Sequence, residues 1–307
     1  MKLNEIGELG LIERIKKKID IRDPHIIAGI GDDTAVIESP GGNYTLLTTD
    51  MLIENVHFTL RAMSFSQIGH KALVVNLSDI AAMGGVPKFC LVSLGLNEKV
   101  SVEDVDEIYK GVLPVAEEYN VKLLGGDTNF SPSGLVIDIC VIGEVEPELL
   151  CLRSGARAGD SILVTGMLGG ASFYLAKGEY FPPTPRIKEA RAILETVKVN
   201  AMIDISDGLA VDLHNITRSS NVGALINIED IPVFPEAEEE SAISGGEDFE
   251  LLFTVVASQK DKLLREIPDK TATPITCIGE IVKEGVTIKA RDGKISLLPP
   301  GGYEHFK

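Results

Sequence analysis

No apolar run in the 307-residue sequence is long enough to cross a bilayer. The longest are under about ten residues, against the roughly 20 that a spanning helix needs. A signal-peptide core is also missing, because Glu5 and Glu8 interrupt MKLNEIGELGLIERIKKKI. The expected setting is therefore cytoplasmic, with no membrane partner. Basic charge is in deficit: the net charge is −17, which argues against a nucleic-acid-binding surface. The four cysteines, Cys90, Cys140, Cys151 and Cys277, show no CxxC spacing and lie mostly in apolar runs. They read as buried thiols rather than a metal cluster or disulfide framework. Nothing matches GxxxxGK[ST], GxSxG, HExxH or an EF-hand loop. GMLGGA, residues 166–171, is glycine-rich but does not fit GxGxxG.

What remains is an ordinary globular composition, 44% apolar and 24% charged. The length favours two domains over one. Ile6, Leu9, Ile12, Ile15 and Ile19 recur at three and four, which predicts an amphipathic helix over 3–19. YTLLTTD reads as a strand ending in an acid, and SQIGHKALVVNLSDIAAM as a helix capped by Ser64 or Ser66. FCLVSLGL, VKLLGGD and GLVIDICVIGEV read as strands, and SVEDVDEIYKGVLPVAEEYN as a helix opened by a Ser101/Asp104 capping box. After a loop-like link, EPELLCLRSGARAGD, a second mixed series begins. Its strands are SILVTG, AMIDIS, GALINI, the apolar end of SGGEDFELLFTVV, and ITCIGEI. Helical material ends near Thr196, a helix follows in DGLAVDLHNITRSS, and another starts near Ser258. This predicts α/β (α+β) architecture in two mixed domains, 1–147 and 148–307.

Carboxylates recur directly after strand-like runs: Asp50, Asp127, Asp204 and Asp207, with Glu247 and Asp248 just before one. In α/β folds such positions gather ligands. Each acid taken alone reads equally well as a cap or turn former. Asp79 is sharper. It shares a helical stripe with Ala72, Val75 and Ala82, where a carboxylate is costly unless it is paired or bound to metal. Oxygen-rich sites of this kind suit Mg²⁺ or Ca²⁺, and a polyphosphate would complete the shell.

GIGDDTAV, TTDMLIENVHF, KALVVNLSDIAAMGG, LLGGDT, LRSGARAGD, IDISDGL, SGGEDFEL and GYEHF follow one another along nearly the whole chain. In that order they resemble the thiamine-monophosphate kinases, of the superfamily of aminoimidazole ribonucleotide synthetase and selenophosphate synthetase. The resemblance implies ATP-dependent phosphorylation of thiamine monophosphate to thiamine diphosphate. It also implies a homodimer whose N-terminal domains share a β-barrel. It assigns several Mg²⁺ ions to Asp33, Thr48, Thr49, Asp50, Asp79, Asp127, Asp204 and Asp207. The nucleotide falls to Gly126, Asp127, Arg153 and Ser206, and the thiamine phosphate to His57, Glu247 and Tyr303. Asp32 would turn away from the cage as a capping or supporting acid. Three positions depart from the family pattern: Asn55 where glycine is frequent, Asn129 for Thr or Ser, and the bulkier Met202.

The implied chemistry needs no general base. A phosphate monoester has a second pKa near 6, so the attacking oxygen is largely deprotonated at neutral pH. The difficulty is bringing two anions together, which calls for positioning and charge neutralisation in a direct in-line transfer. Two alternatives remain at this level. One is a selenophosphate or purine-pathway synthetase, although the first cysteine, Cys90, sits inside an apolar run rather than near the N-terminus. The other is a non-catalytic metal- or nucleotide-binding module using the same acids.

Overall fold

A computed structural model describes residues 2–19, 22–303 and 305–306. The chain builds two mixed, largely antiparallel sheets. The first contains β1 (Ile26–Ala28), β2 (Ala35–Glu38), β3 (Tyr44–Ile53), β4 (Val86–Leu96), β5 (Lys122–Phe130) and β6 (Val136–Val145), in the order β1-β2-β3-β6-β4-β5. Only the β4–β5 pair is parallel. The second contains β7 (Asp160–Thr165), β8 (Val199–Asp204), β9 (Gly223–Asn227), β10 (Leu251–Val256), β11 (Ile275–Val282), β12 (Val286–Lys289) and β13 (Ile295–Leu297), in the order β13-β12-β9-β11-β7-β10-β8. Here β9–β12 is the parallel pair. The helices are α1 (Leu3–Lys16), α2 (Phe65–Ala82), α3 (Val102–Glu118), α4 (Gly170–Ala176), α5 (Ile187–Thr196), α6 (Leu209–Ser220), α7 (Glu239–Ser244) and α8 (Lys260–Thr271). The mixed α/β class expected from the sequence is what forms.

Helix α2 is the hub. The Ser64 hydroxyl and the Gln67 side chain close a capping box at its start. Beyond that, thirteen of its residues are buried, so it is apolar nearly all round and must lie inside the protein. It packs on β3 and β6 of the first sheet, on α3, and on α5 and β8 of the second half. Its approach to α3 depends on two glycines. A Cβ on Gly69 would lie 2.0 Å from the Ile108 carbonyl oxygen, and one on Gly111 would lie 1.9 Å from that of Ser66. The resulting core runs from the first sheet through α2 to Leu163, Met202 and Phe253 of the second. Truncating a fully buried member such as Leu77 or Ile80 to alanine is expected to cost about 2–5 kcal/mol.

Strands β7, β8 and β10 of the second sheet are covered on both faces, so they read as near-continuous apolar runs, whereas β12 and β13 at its edge are not buried. Leu251, Phe253 and Val255 of β10 join the α2 core, while Leu252 joins a separate core under α6.

Several elements differ from the sequence reading. Helix α1 ends at Lys16 and breaks at Gly7, whose φ is 64°. Leu3, Leu9, Ile15 and Ile19 stay exposed rather than forming a buried stripe. Asp50 and Asp127 lie inside their strands rather than at the ends, because the ladders with β6 and β4 run on to Ile53 and Phe130. The short strands β1, β2, β12 and β13 and the helices α4 and α7 carry too few residues to show a period.

Candidate active site

The ends of several elements converge beside α2. Asp79 comes from its last turns, Asp33 from the loop before β2, Thr48 and Asp50 from one face of β3, and Asp204 from the end of β8. Asp33, Asp79 and Asp204 each offer a carboxylate oxygen, and these oxygens lie within 4.8 Å of one another. The Thr48 hydroxyl donates to Asp79 Oδ2 at 2.5 Å, and the Ser78 hydroxyl to Asp204 Oδ2 at 2.6 Å.

The electrostatics are those of an acid cluster short of positive charge. Burial, then Asp33, pushes the Asp204 carboxyl up to about 8. Burial, then Asp138 and Asp33, pushes Asp50 up to about 6. Asp79 is held well above the usual carboxylate range by burial and by Asp50, Asp204 and Asp33. The cation that reaches the cluster is Arg153. Its guanidinium donates to Asp33 Oδ1 from Nε at 3.1 Å and from Nη2 at 2.5 Å. Asp33 Oδ2 is buried with no hydrogen-bond partner among the described residues. An orphaned carboxylate oxygen beside two further carboxylates fits a hard divalent cation.

The GDD doublet divides its work. Asp32 Oδ1 accepts the backbone N–H of Arg153 at 2.9 Å, so it supports the segment that carries the guanidinium. Gly31 takes φ 120° in the turn just before the doublet.

A second group lies around the same junction. The His57 Nδ1 accepts the Ile53 N–H at 3.0 Å, and its Nε2 faces His305 Nε2 at 3.4 Å. Burial, His305 and Lys71 bring His57 down to about 4, so it is neutral near pH 7. Lys71 Nζ bonds Glu247 Oε1 at 2.5 Å and the His57 carbonyl at 2.8 Å. Tyr303 reaches the group from the C-terminal segment. Its N–H donates to the Asp207 carbonyl at 3.1 Å, and its ring meets His305 edge-on at 4.9 Å. Asp207 is pushed up to about 6 by burial and then Glu8. The Ser206 carbonyl accepts the Glu247 N–H at 2.8 Å.

Three residues stand apart from the carboxylate cluster. The Thr49 side chain points to the other face of β3, onto Asp138 Oδ1 at 3.0 Å. Gly126 and Asp127 sit on the outermost strand β5. Asp50 registers with Ile139, Ile139 with Val92, and Val92 with Gly126. Three strand spacings make that about 14 Å. Asp127 bonds locally, to the Thr128 N–H and the Asn129 side chain.

Sequence reasoning missed Lys71, Ser78, Asp138 and His305. Lys71 carried a signal, since it sits among Ile68, Ala72 and Val75 on a buried helix.

Residues 31–145 match the family model described as AIR synthase related protein, N-terminal domain, and residues 157–290 match the C-terminal domain of the same family. The thiamine-monophosphate kinase of Rhodopirellula baltica is 36% identical over 300 residues, 92% of each chain. That of Bacillus subtilis is 36% identical over 98% of this chain and 100% of its own. The chain belongs to the thiamine-monophosphate kinase family. Among solved structures, AaThiL complexed with AMPPCP and TMP superposes with a TM-score of 0.84 at 35% identity, covering 99% of each chain. Asn55 adopts φ 65°, a left-handed conformation that asparagine tolerates better than most residues.

Proposed function

We propose that this chain transfers the γ-phosphoryl group of ATP to thiamine monophosphate, giving thiamine diphosphate. The observation that carries the reading is the Asp33–Asp79–Asp204 grouping, in a chain that matches thiamine-monophosphate kinases nearly end to end. The AaThiL complex supports it, because AMPPCP is a non-hydrolysable ATP analogue bound there together with TMP.

Asp33, Thr48, Asp50, Asp79 and Asp204 are the residues we assign to Mg²⁺, with Asp207, Thr49 and Asp127 as outlying members of the set. When bound, Mg²⁺ neutralises the phosphates that must meet. Arg153, Ser206, Gly126 and Asp127 are assigned to the nucleotide. The span of about 14 Å between β3 and β5 suits a ligand laid from the outer strand toward the cluster. His57, Glu247 and Tyr303 are assigned to thiamine monophosphate. A neutral His57 can exchange hydrogen bonds with the substrate without adding charge. No side chain need act as general base, since the acceptor oxygen is already ionised.

The chain is further assigned a division near residue 148, into 1–147 and 148–307, a cytoplasmic setting, and a homodimer. No helix among the described residues is long and apolar enough to cross a membrane, and the four cysteines are unpaired, as a reducing compartment requires. Met51, Phe89, Leu91, Leu124 and Phe130 leave apolar surface open on the first sheet. A second copy closing a barrel there would cover it.

Incubating the purified protein with ATP, Mg²⁺ and thiamine monophosphate should yield thiamine diphosphate by chromatography, and chelation should stop it. Nucleotide binding with no product would sink the kinase reading.

A further inference from the structure

One lysine inside α2 ties together segments from the two halves of the chain. The Lys71 side chain is 3% exposed. A buried ammonium is costly unless it is paired and hydrogen-bonded. Neighbouring positions of α2, Ile68, Ala72, Val74 and Val75, are buried and apolar, so an apolar side chain at 71 would satisfy the helix. The cation is instead used on two partners, the Glu247 carboxylate and the His57 carbonyl.

Both partners lie in backbone that needs holding. Glu247 has φ 68° and Phe249 φ 51°; non-glycine residues in the left-handed region are strained and persist only where the surroundings hold them. Main-chain bonds fix this loop to its own half: Glu247 N–H to the Ser206 carbonyl, and Phe249 N–H to the Ile205 carbonyl. The Glu247 side chain is fixed from the other half, by Lys71. The His57 segment follows Asn55, with φ 65°, and its carbonyl is held by the same ammonium.

We infer that Lys71 is a positioning residue for thiamine monophosphate, setting the Glu247 carboxylate and the His57 segment as one rigid unit. The inference rests on the assignment of His57 and Glu247 to that substrate. Lys71 is too enclosed to be the group a substrate touches. Glu247 keeps 38% of its side-chain surface open and engages Lys71 through Oε1, so its carboxylate remains available to a ligand. Asp79 lies eight residues further along α2, about 12 Å by helical rise. The helix thereby fixes the spacing between the substrate-holding residues and the carboxylate cluster.

The test uses the full-length protein with Lys71→Met, Lys71→Arg, Glu247→Gln and the Lys71→Met/Glu247→Gln double variant. Lys71→Met should raise KM for thiamine monophosphate by about tenfold or more, with KM for ATP changed by less than about twofold. Lys71→Arg should recover part of that loss. In the Glu247→Gln background the Lys71→Met effect should largely vanish, as two residues acting through one contact require. A second readout needs no substrate: amide hydrogen exchange should accelerate in residues 53–58 and 245–249 of Lys71→Met and stay unchanged elsewhere. Equal rises in both KM values, additive effects, or unchanged exchange in those segments would each overturn the inference. A wild-type protein that made no thiamine diphosphate would refute the functional reading, and the exchange measurement would still decide the clamp.

Discussion

The Arg153 guanidinium closes on one oxygen of Asp33 and leaves the other, Oδ2, buried without a partner among the described residues. That open, buried carboxylate oxygen is the observation behind our assignment of Asp33 to Mg²⁺. Asp32, next in the chain, holds the Arg153 backbone instead. Asp32 thus supports the Arg153 backbone, and Asp33 is the member of the pair that we assign to the metal.

Exchanging the two separately should expose that asymmetry. Asp33→Asn removes charge from the cluster and should lower kcat/KM by about 100-fold or more. Asp32→Asn keeps an oxygen able to accept the Arg153 N–H, and should retain activity within about tenfold. Steady-state kinetics at limiting and saturating Mg²⁺ separate the outcomes. Equal losses would contradict the division of roles.

The acid cluster also sets a pH dependence. Asp50 is pushed up to about 6 and Asp204 to about 8, and Asp79 is raised as well, each first by burial. In the unfolded chain an aspartate titrates near 3.9. Because the folded values are the higher ones, their stabilising contribution is fully present below about pH 4. It is lost as pH rises through the folded values toward about 8. Metal-free protein should therefore lose melting temperature between about pH 5 and about pH 8. Millimolar Mg²⁺ should restore more of it the higher the pH, since the ion binds ionised carboxylates. Asp79→Asn should flatten the metal-free profile and reduce turnover by about 100-fold. A Mg²⁺ effect independent of pH, read by thermal melting, would contradict the assignment.

How much of this was legible in sequence depends on the range of the interaction. Caps act over three residues: Ser101 read directly, and Ser64 was one of the two candidates for α2. Asp79 stood out because a carboxylate on an apolar stripe breaks a local rule. Lys71 broke the same rule, but its meaning lies in Glu247, 176 residues away. Arg153 is separated from Asp33 by 120 residues, so its partner was equally hidden. Asp50 and Asp127 looked like strand ends because acids disfavour strand interiors, yet neighbouring strands carry the hydrogen-bond ladder past both. The apolar residues of α1 had the right period, yet Leu3, Leu9 and Ile15 stay exposed and Ile6 and Ile12 are only half-buried among the described residues.

Asn55 offers a test of backbone geometry near the substrate residues. At φ 65° a glycine is unstrained, whereas a β-branched residue pays the left-handed penalty of about 1–2 kcal/mol. Asn55→Gly should keep KM for thiamine monophosphate and melt within about 2 °C of wild type. Asn55→Val should lose stability by that penalty and raise KM, because His57 follows two residues later. Denaturant titration and substrate kinetics measure the two effects, and an innocuous valine would contradict the conformation.

The open face of the first sheet carries the last prediction. Leu91 is 39% exposed and Phe130 73%, and β5 presents an unpaired strand edge at the end of the sheet. Such an edge invites pairing with another chain, and apolar side chains beside it favour burial. Light scattering at micromolar concentration should therefore give about twice the 33.0 kDa chain mass. Leu91→Glu places a charge in the contact and should shift the protein toward the single-chain mass. Leu91 faces away from the buried core of α2, so the melting curve of the separated chain should stay cooperative. A wild-type protein running as one chain would rule out the dimer. A Leu91→Glu variant that remained double-sized would move the contact to another face.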